Sequence, residues 1–338
     1  MFDSLEVKFA MRAVCQAAQL VRTVQAEMIS PALTKEDRSP VTVADFAAQA
    51  LVAQLLAETF ADQPLVGEEQ AAVLREPEQH EHLRRVTEFV GRYVADVTSE
   101  QALEWIALGE AEPTDLFWTL DPVDGTKGFL RGDQYVVALA QIERGEVKVA
   151  VLGCPGLADA HRPNINEPDI NGQGSLLVAT PGGGTWTAPL EEASLENLAA
   201  FRRLHVSDID DPRRARLLRS VEAAHTNMGG IGALAVELAT EVEAVPMDSQ
   251  AKYAVLAAGE AELLVRLLSP TRPDYREKIW DQAAGSLILE EAGGRITDLD
   301  GRSLDFSVGR TLAKNRGILA TNGRLHDAAL AALSRISA

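Results

Sequence analysis

The chain of 338 residues is poor in the features that mark several protein classes. It has only two cysteines, Cys15 and Cys154, so a disulfide framework is not expected and a reducing, cytoplasmic location is predicted. The chain does not open with a basic segment followed by an apolar core, and no apolar run approaches the length of a membrane span. We therefore expect neither a secretory signal nor a membrane partner.

Positive charge is also scarce. The 32 Lys and Arg residues face 50 Asp and Glu residues, which gives a formal net charge of −18 at pH 7. This balance argues against a general nucleic-acid-binding protein, because such a protein needs a basic face to offset the phosphates. A phosphorylated small molecule is still acceptable as a ligand, provided that metals and a few Lys or Arg side chains neutralise its charge.

The order of apolar patterns along the chain indicates two domains, without internal repeats. Apolar residues recur at helical spacing in residues 4–29 and again from the end of the Ser-Pro-Val-Thr run at 39–42 to about residue 60. A short strand, a charged helical stretch and two hairpins follow. From about residue 196, short strands alternate with helices, as is typical of an α/β domain. We predict an N-terminal α+β domain at 1–195 and a C-terminal α/β domain at 196–338.

The most informative stretch is Asp-Pro-Val-Asp-Gly-Thr at residues 121–126, directly after an apolar run that predicts a buried strand. The proline fixes one φ angle and Gly125 permits a sharp reversal, so Asp121 and Asp124 can point into one space. The backbone carbonyl of Val123 can face the same space. Three oxygen donors on one turn suit a hard divalent cation. For the bare motif, an ordinary Asp-rich turn is the alternative.

Three further segments carry acids at comparable places. Glu68 follows a predicted strand, as Asp121 does. Asp281 lies near the predicted start of a helix, where the helix dipole favours an acid, so a structural role is the alternative. Asp45 follows Thr42 with the spacing of a capping box, so helix initiation explains this pair as well.

Convergence of Glu68, Asp121, Asp124 and Asp281 would cost energy. Two unit charges about 4 Å apart repel by roughly 4 kcal/mol at the dielectric of a protein surface. Such a cluster persists only with bound cations or with shared protons. The all-oxygen donor set favours Mg²⁺, and two or more Mg²⁺ ions would support hydrolysis of a phosphate monoester.

These segments, in this order, resemble the lithium-sensitive, Mg²⁺-dependent inositol monophosphatase superfamily over nearly the whole chain. Four runs are similar to its 3′(2′),5′-bisphosphate nucleotidase branch: Ser-Pro-Val-Thr-Val-Ala-Asp at 39–45, Asp-Gly-Thr-Lys-Gly-Phe-Leu-Arg-Gly at 124–132, Asp-Ser-Gln-Ala-Lys-Tyr at 248–253 and Glu-Lys-Ile-Trp-Asp at 277–281. The resemblance implies a five-layer α-β-α-β-α sandwich of the inositol monophosphatase-like fold, with the active site between the domains.

The resemblance also implies a role for each acid. Glu68, Asp121 and the Val123 carbonyl would bind one Mg²⁺, and Asp121, Asp124 and Asp281 would bind a second, among two or three ions in all. Asp45 paired with Thr126 would orient and deprotonate the attacking water. The implied substrate contacts are Thr126, His225, Ser249, Lys252, Arg266 and Asp281.

Each substrate contact outside the acid cluster has a simpler alternative. Ser249 has the position of a helix N-cap. Lys252 and Arg266 have the pattern of solvated surface charges, and His225 that of a loop histidine. Residues 269–274 make the segment after Arg266 slightly longer than the family pattern.

The implied activity is hydrolysis of adenosine 3′,5′-bisphosphate to AMP and phosphate, with 3′-phosphoadenylyl sulfate as a second candidate substrate and a place in sulfate assimilation. An inositol mono- or polyphosphate phosphatase is the alternative within the superfamily. A non-catalytic nucleotide- or RNA-associated regulatory protein is the alternative of another class, and the complete acidic set weighs against it. We expect a monomer or homodimer.

Overall fold

The computed structural model describes residues 1–29, 39–157, 172–193, 196–221 and 227–336. Two helices open the chain: α1 (Leu5–Met28) and α2 (Ser39–Thr59). Ser4 caps α1, because its Oγ accepts a hydrogen bond from the Val7 N–H at 3.1 Å. The prediction of a helix over residues 4–29 is confirmed.

The described part of α2 begins at Ser39, ahead of the predicted start after Thr42. Pro40 is compatible with a first helical turn because its fixed φ suits that turn and no intrahelical partner is needed for its missing N–H. Thr42 and Asp45 therefore lie inside the helix, and the capping-box interpretation is wrong. Asp45 is instead 6% exposed.

Helix α2 corrects the expectation that no apolar run approaches the length of a membrane span. By length and composition it could cross a membrane, but 89% of its most apolar 18-residue window is buried within the protein. It contacts α1 on one side and the neighbouring sheet and helices on others. A helix that is apolar all round is expected at such a fully enclosed position.

The first sheet has seven strands in sequential order. The first two strands are parallel and the others antiparallel, with the two helices α3 (His80–Val90) and α4 (Ser99–Leu108) between β1 and β2. The strands are β1 (Leu65–Gly67), β2 (Leu116–Asp124), β3 (Val136–Glu143), β4 (Glu146–Cys154), β5 (Ser175–Thr180), β6 (Gly184–Pro189) and β7 (Arg202–Arg203). Both predicted hairpins, β3–β4 and β5–β6, are confirmed.

The second sheet has five strands in the order β11-β12-β10-β8-β9. These strands are β8 (Leu217–Arg219), β9 (Val245–Pro246), β10 (Leu263–Arg266), β11 (Arg295–Thr297) and β12 (Ile318–Thr321). The remaining helices are α5 (Thr126–Arg131), α6 (Met228–Glu237), α7 (Ala251–Ala257), α8 (Ala283–Glu291) and α9 (His326–Arg335).

Three apolar cores lie among five layers, and the middle core covers both faces of the α7 and α8 layer. Along β3, Val137 and Leu139 face the core shared with α1 and α2, whereas Val136 and Ala138 face the core shared with α7 and α8. This alternation follows from the two-residue period of a strand. The second sheet covers the other side of α7 and α8, and α6 and α9 pack on its far face. The predicted α-β-α-β-α sandwich is confirmed.

The two predicted domains share this middle layer. Strand β7 lies after residue 196 yet pairs with β6 of the first sheet. Helix α8, from the C-terminal part, packs on β3, β4 and β5 of the first sheet. This packing brings the segment just before α8 close to the strands of the first sheet.

His326 makes the stability of the second sheet sensitive to acid. It is fully buried, and its two ring nitrogens lie 3.0 Å from the hydroxyls of Thr297 and Thr321. Burial, assisted by Arg295, lowers its pKa to about 4. Because the folded pKa lies below the ordinary value of about 6.5, stability present above pH 6.5 is lost as the pH falls towards 4.

Between pH 7 and pH 4, we expect the free energy of unfolding to fall on the order of 3 kcal/mol more in the wild-type protein than in His326→Gln. Urea unfolding at pH 7, 5.5 and 4 measures this difference. The exposed His205 provides the control, since His205→Gln should leave the pH profile unchanged. Parallel profiles for His326→Gln and wild type would contradict the prediction.

Candidate active site

The Asp-rich motif lies within β2 and extends that strand beyond its predicted end at Leu120. Asp121 pairs with Ala138 and Asp124 with Val136, and the register shifts between the two pairs. Such an irregularity accommodates a proline, which has no N–H for the ladder. Both carboxylates therefore project from a bulged strand, and not from a turn that follows the strand.

Gly125 ends this strand and allows another segment to approach. Its φ is +94°, and a Cβ atom there would lie 2.9 Å from the Cβ of Ser249. Next to this contact, the Gln250 N–H donates to Asp124 Oδ2 at 2.6 Å. The predicted reversal at Gly125 is confirmed, and it brings residues 249–250 against the motif.

Asp121 lies at the centre of the acid cluster. It is only 2% exposed. Burial raises its pKa well above the ordinary value, and the charges of four other acids raise it further: Glu68, Asp124, Asp281 and Asp45. The structure therefore brings the sequence-predicted acids into one electrostatic cluster.

Two carboxylate oxygens of the cluster have no hydrogen-bond partner. They are Oδ1 of Asp45 and Oδ1 of Asp121, both buried. Burial raises the pKa of Asp45, and Glu69 and Glu68 raise it further. A buried acceptor without a donor costs free energy, so each of these oxygens is suited to accept a proton or to bind a hard cation. Within the described residues, no three His, Cys, Asp or Glu side chains lie close enough together to hold a metal ion as they stand.

Glu68 and Glu69 form the edge of the cluster after β1. Desolvation by the surrounding protein and the charge of Asp124 raise the pKa of Glu68, although much of its surface reaches solvent. Burial and the charge of Glu68 raise the pKa of Glu69 to about 7. Gln49 fixes this position, because its amide accepts from the Glu69 N–H at 3.0 Å and donates to the Glu69 carbonyl at 2.8 Å.

Asp281 does not occupy a first helical turn. Helix α8 begins at Ala283 with Gln282 as its N-cap, so the structural alternative proposed for Asp281 is wrong. Burial raises the pKa of Asp281 well above its usual value, and Asp124 and Glu277 raise it further. The charges that act most strongly on Asp281 are therefore those of neighbouring acids.

Two cations lie beside Asp124, the buried Lys252 and the partly buried Arg266. Lys252 is 4% exposed and donates from Nζ to the Met247 carbonyl at 3.1 Å. Burial lowers its pKa to about 8, while the charge of Asp124 opposes this shift. Arg266 binds Glu277 through two contacts, at 3.1 and 2.9 Å. Neither side chain is a solvated surface charge, so that alternative is wrong for both.

The remaining predicted residues differ in their surroundings. Thr126 is exposed and begins α5, whereas Val123 is buried at the bulge. Ser249 is buried with a φ of +63°, and its Oγ accepts from the Ala251 N–H at 3.2 Å. Its hydroxyl therefore contacts the first residue of α7, but the N-cap of that helix is Gln250, so the N-cap alternative for Ser249 is wrong. His225 lies outside the described residues.

Gln250 and Glu277 are parts of the site that sequence reasoning missed. The Gln250 side chain donates to the Trp280 carbonyl and accepts from the Gly285 N–H, both at 3.0 Å. Glu277 pairs with Arg266 and accepts from Gln282 at 3.0 Å. The only sequence signal was their place within the runs at 248–253 and 277–281.

A small pocket of about 80 Å³ adjoins Arg266. At its wall, the Arg272 guanidinium lies 4.8 Å from the centre of the Tyr275 ring. Its walls combine two leucines with charged and polar side chains, so it offers both apolar and polar contacts to a ligand group. The lining residues are Arg266, Leu267, Leu268, Ser269, Arg272, Tyr275 and Glu277.

The layered fold and its carboxylate cluster define a sugar-phosphatase-like α/β sandwich. Within that class, the chain belongs to the inositol monophosphatase family, whose model matches residues 4–338. Two solved structures share the fold. The IMPase of Thermotoga maritima aligns with a TM-score of 0.62, 19% identity and 98% coverage of both chains. The inositol monophosphatase of Zymomonas mobilis aligns with a TM-score of 0.63, 18% identity and 97% coverage of both.

Closer relatives are found among curated proteins. The chain is 37% identical over 353 residues to the 3′(2′),5′-bisphosphate nucleotidase of Schizosaccharomyces pombe, covering 99% of this chain and 96% of that protein. It is 40% identical over 342 residues to the protein of the same name from Oryza sativa, covering 97% and 93%. The resemblance to the family and to this branch is confirmed.

Relief of the repulsion around Asp121 should stabilise the metal-free protein. We expect Asp121→Asn to raise the free energy of unfolding by roughly 1–2 kcal/mol at pH 8 with a chelator. Because the folded pKa values are raised, the cost of charge exists at high pH and disappears as the acids protonate. The gain should therefore shrink at pH 5.

Denaturant unfolding at both pH values measures this gain. Glu104→Gln, which removes an exposed acid of α4, should change stability by less than about 0.5 kcal/mol. Destabilisation by Asp121→Asn at pH 8 would show that repulsion does not dominate at this position.

Proposed function

We propose that the chain is a Mg²⁺-dependent phosphate monoester hydrolase that converts adenosine 3′,5′-bisphosphate to AMP and phosphate. We extend the proposal to 3′-phosphoadenylyl sulfate as a second substrate. Relatives with the 3′(2′),5′-bisphosphate nucleotidase name at 33–40% identity support it over nearly the full length of the chain. The observation that carries it is an acid cluster around the buried Asp121 with Lys252 and Arg266 beside it, since a substrate with two phosphates needs both.

The inositol monophosphatase family is generally Mg²⁺-dependent, and the donor set supports the same ion here. Glu68, Asp121 and the Val123 carbonyl would hold one Mg²⁺, and Asp121, Asp124 and Asp281 another. Their mutual repulsion and the unpaired oxygen of Asp121 favour a bound cation. When bound, Mg²⁺ neutralises phosphate charge and makes water more acidic.

Proton transfer is assigned to Asp45 and Thr126. Water attacks phosphorus, the bond from phosphorus to the 3′ oxygen breaks, and that oxygen gains a proton from solvent. The water proton passes through the Thr126 hydroxyl to Asp45, because a hydroxyl is too weak a base to retain it. Oδ1 of Asp45 is available for this role because it has no other partner.

The uncleaved phosphate is assigned to Lys252 and Arg266. An arginine presents a planar fork that matches phosphate oxygens, and a buried lysine supplies a compact charge. Ser249, beside them, and His225 complete the proposed contacts. The purine ring is assigned to Tyr275 and Arg272, which lie at the wall of the pocket beside Arg266.

Removal of one charge from Asp124 should abolish hydrolysis. We expect Asp124→Asn to lower kcat/KM for adenosine 3′,5′-bisphosphate at least about a hundredfold, with the fold intact by circular dichroism. Asp115→Asn is the matched control, because this exposed residue lies just before the same strand. Wild-type hydrolysis by Asp124→Asn would overturn the assignment of the metal ligands and exclude this cluster as the active site.

Release of inorganic phosphate from adenosine 3′,5′-bisphosphate and from inositol 1-phosphate separates the two phosphatase activities. We expect the nucleotide to be the better substrate because the inositol ester has no group for Lys252, Arg266 or the adjoining pocket. Equal or faster turnover of inositol 1-phosphate would overturn the nucleotidase proposal in favour of the inositol phosphatase.

The pocket supplies a separate test of base recognition. We expect Tyr275→Leu to raise KM for adenosine 3′,5′-bisphosphate about tenfold, because stacking of one base on an aromatic ring contributes about 1–3 kcal/mol. Residual turnover of inositol 1-phosphate serves as the control and should stay within about twofold. An unchanged KM for the nucleotide would place the base elsewhere.

A further inference from the structure

One arginine outside the acid cluster connects two of its segments. Arg310 lies in the connection between β11 and β12 and donates from Nη1 to the Ala111 carbonyl at 2.9 Å and from Nη2 to the Gly67 carbonyl at 2.5 Å. Its Cζ atom also lies 5.1 Å from the centre of the Trp280 ring. Gly67 immediately precedes Glu68, and Trp280 immediately precedes Asp281.

The backbone around Arg310 holds the Asp281 segment from the other side. The Arg310 carbonyl accepts from the Ile279 N–H at 3.2 Å, and the Leu312 N–H donates to the Glu277 carbonyl at 2.9 Å. Residues 310–312 therefore run beside residues 277–279. The side chain of Arg310 then extends this attachment across to the end of β1.

The chemistry of these contacts requires arginine. A guanidinium has several N–H donors in a rigid plane, so it satisfies two carbonyls along its edge while its face covers an aromatic ring. A lysine ammonium has no flat face and cannot reproduce this combination. Loss of the side chain would also leave two backbone carbonyls without these donors.

We propose that Arg310 is a positioning residue that fixes Glu68 and Asp281 relative to one another. The proposal rests on the proposed function, in which these two acids bind Mg²⁺. Two carboxylates that serve one metal site repel each other, so their segments need an external attachment. One acid comes from each predicted domain, and Arg310 links both segments through its side chain.

Two variants of Arg310 test this role. Replacement of a residue that orients metal ligands typically lowers metal affinity tenfold to a hundredfold. We expect Arg310→Met to raise the Mg²⁺ concentration for half-maximal hydrolysis about tenfold or more. The Mg²⁺ concentration that half-saturates the increase in Tm of the substrate-free protein should rise equally.

Arg310→Lys should show an intermediate shift in both measurements, because it restores one donor. At saturating Mg²⁺, KM for the nucleotide should change less than about twofold. Arg316→Met is the matched control, since Arg316 pairs instead with Asp300 at 3.0 Å, and it should keep wild-type Mg²⁺ midpoints.

Wild-type Mg²⁺ midpoints in Arg310→Met would overturn the positioning role. If that variant does not fold, Arg310→Lys decides, and unchanged midpoints in both of its measurements would overturn the role equally. Failure of the proposed function has a different outcome, because the wild-type protein would then show no Mg²⁺-dependent hydrolysis of the nucleotide.

Discussion

Repulsion among the carboxylates around Asp121 is the constraint on which the site depends. Asp45 comes from α2, Glu68 from the end of β1, and Asp281 from the segment before α8. Carboxylates in such surroundings do not gather by mutual attraction, so the packing of the layers must hold them in place. The layered sandwich holds the acids in place, because its apolar cores fix the elements from which the acids project.

The positive groups near the site follow from the same constraint. In a chain with a net charge of −18, the buried Lys252 and the partly buried Arg266 nevertheless lie beside Asp124. Each has a specific partner, a backbone carbonyl for Lys252 and Glu277 for Arg266, as a buried charge requires. The positive charge beside Asp124 is therefore set by the local fold and not by the net charge of the chain.

Local patterns predicted the elements well and the burial of individual polar residues poorly. The α1 helix, both hairpins and the turn at Gly125 follow from periodicity and turn chemistry, which act over a few residues. The capping-box interpretation of Asp45 and the surface interpretation of Lys252 used the same short-range rules, and both were wrong. Whether a polar residue is buried depends on elements far away in the chain, which spacing alone does not reveal.

By itself, the sequence determined the donor chemistry: acids after two strands, a glycine where the backbone must turn, and motif runs similar to one family branch. Only the tertiary structure decided that Asp121 has four acids around it, that Gln250 joins Asp124 to Trp280, and that Arg310 contacts Gly67. The physical reason is range. Backbone preferences act between neighbours, whereas desolvation and Coulomb interactions act between groups that only packing brings together.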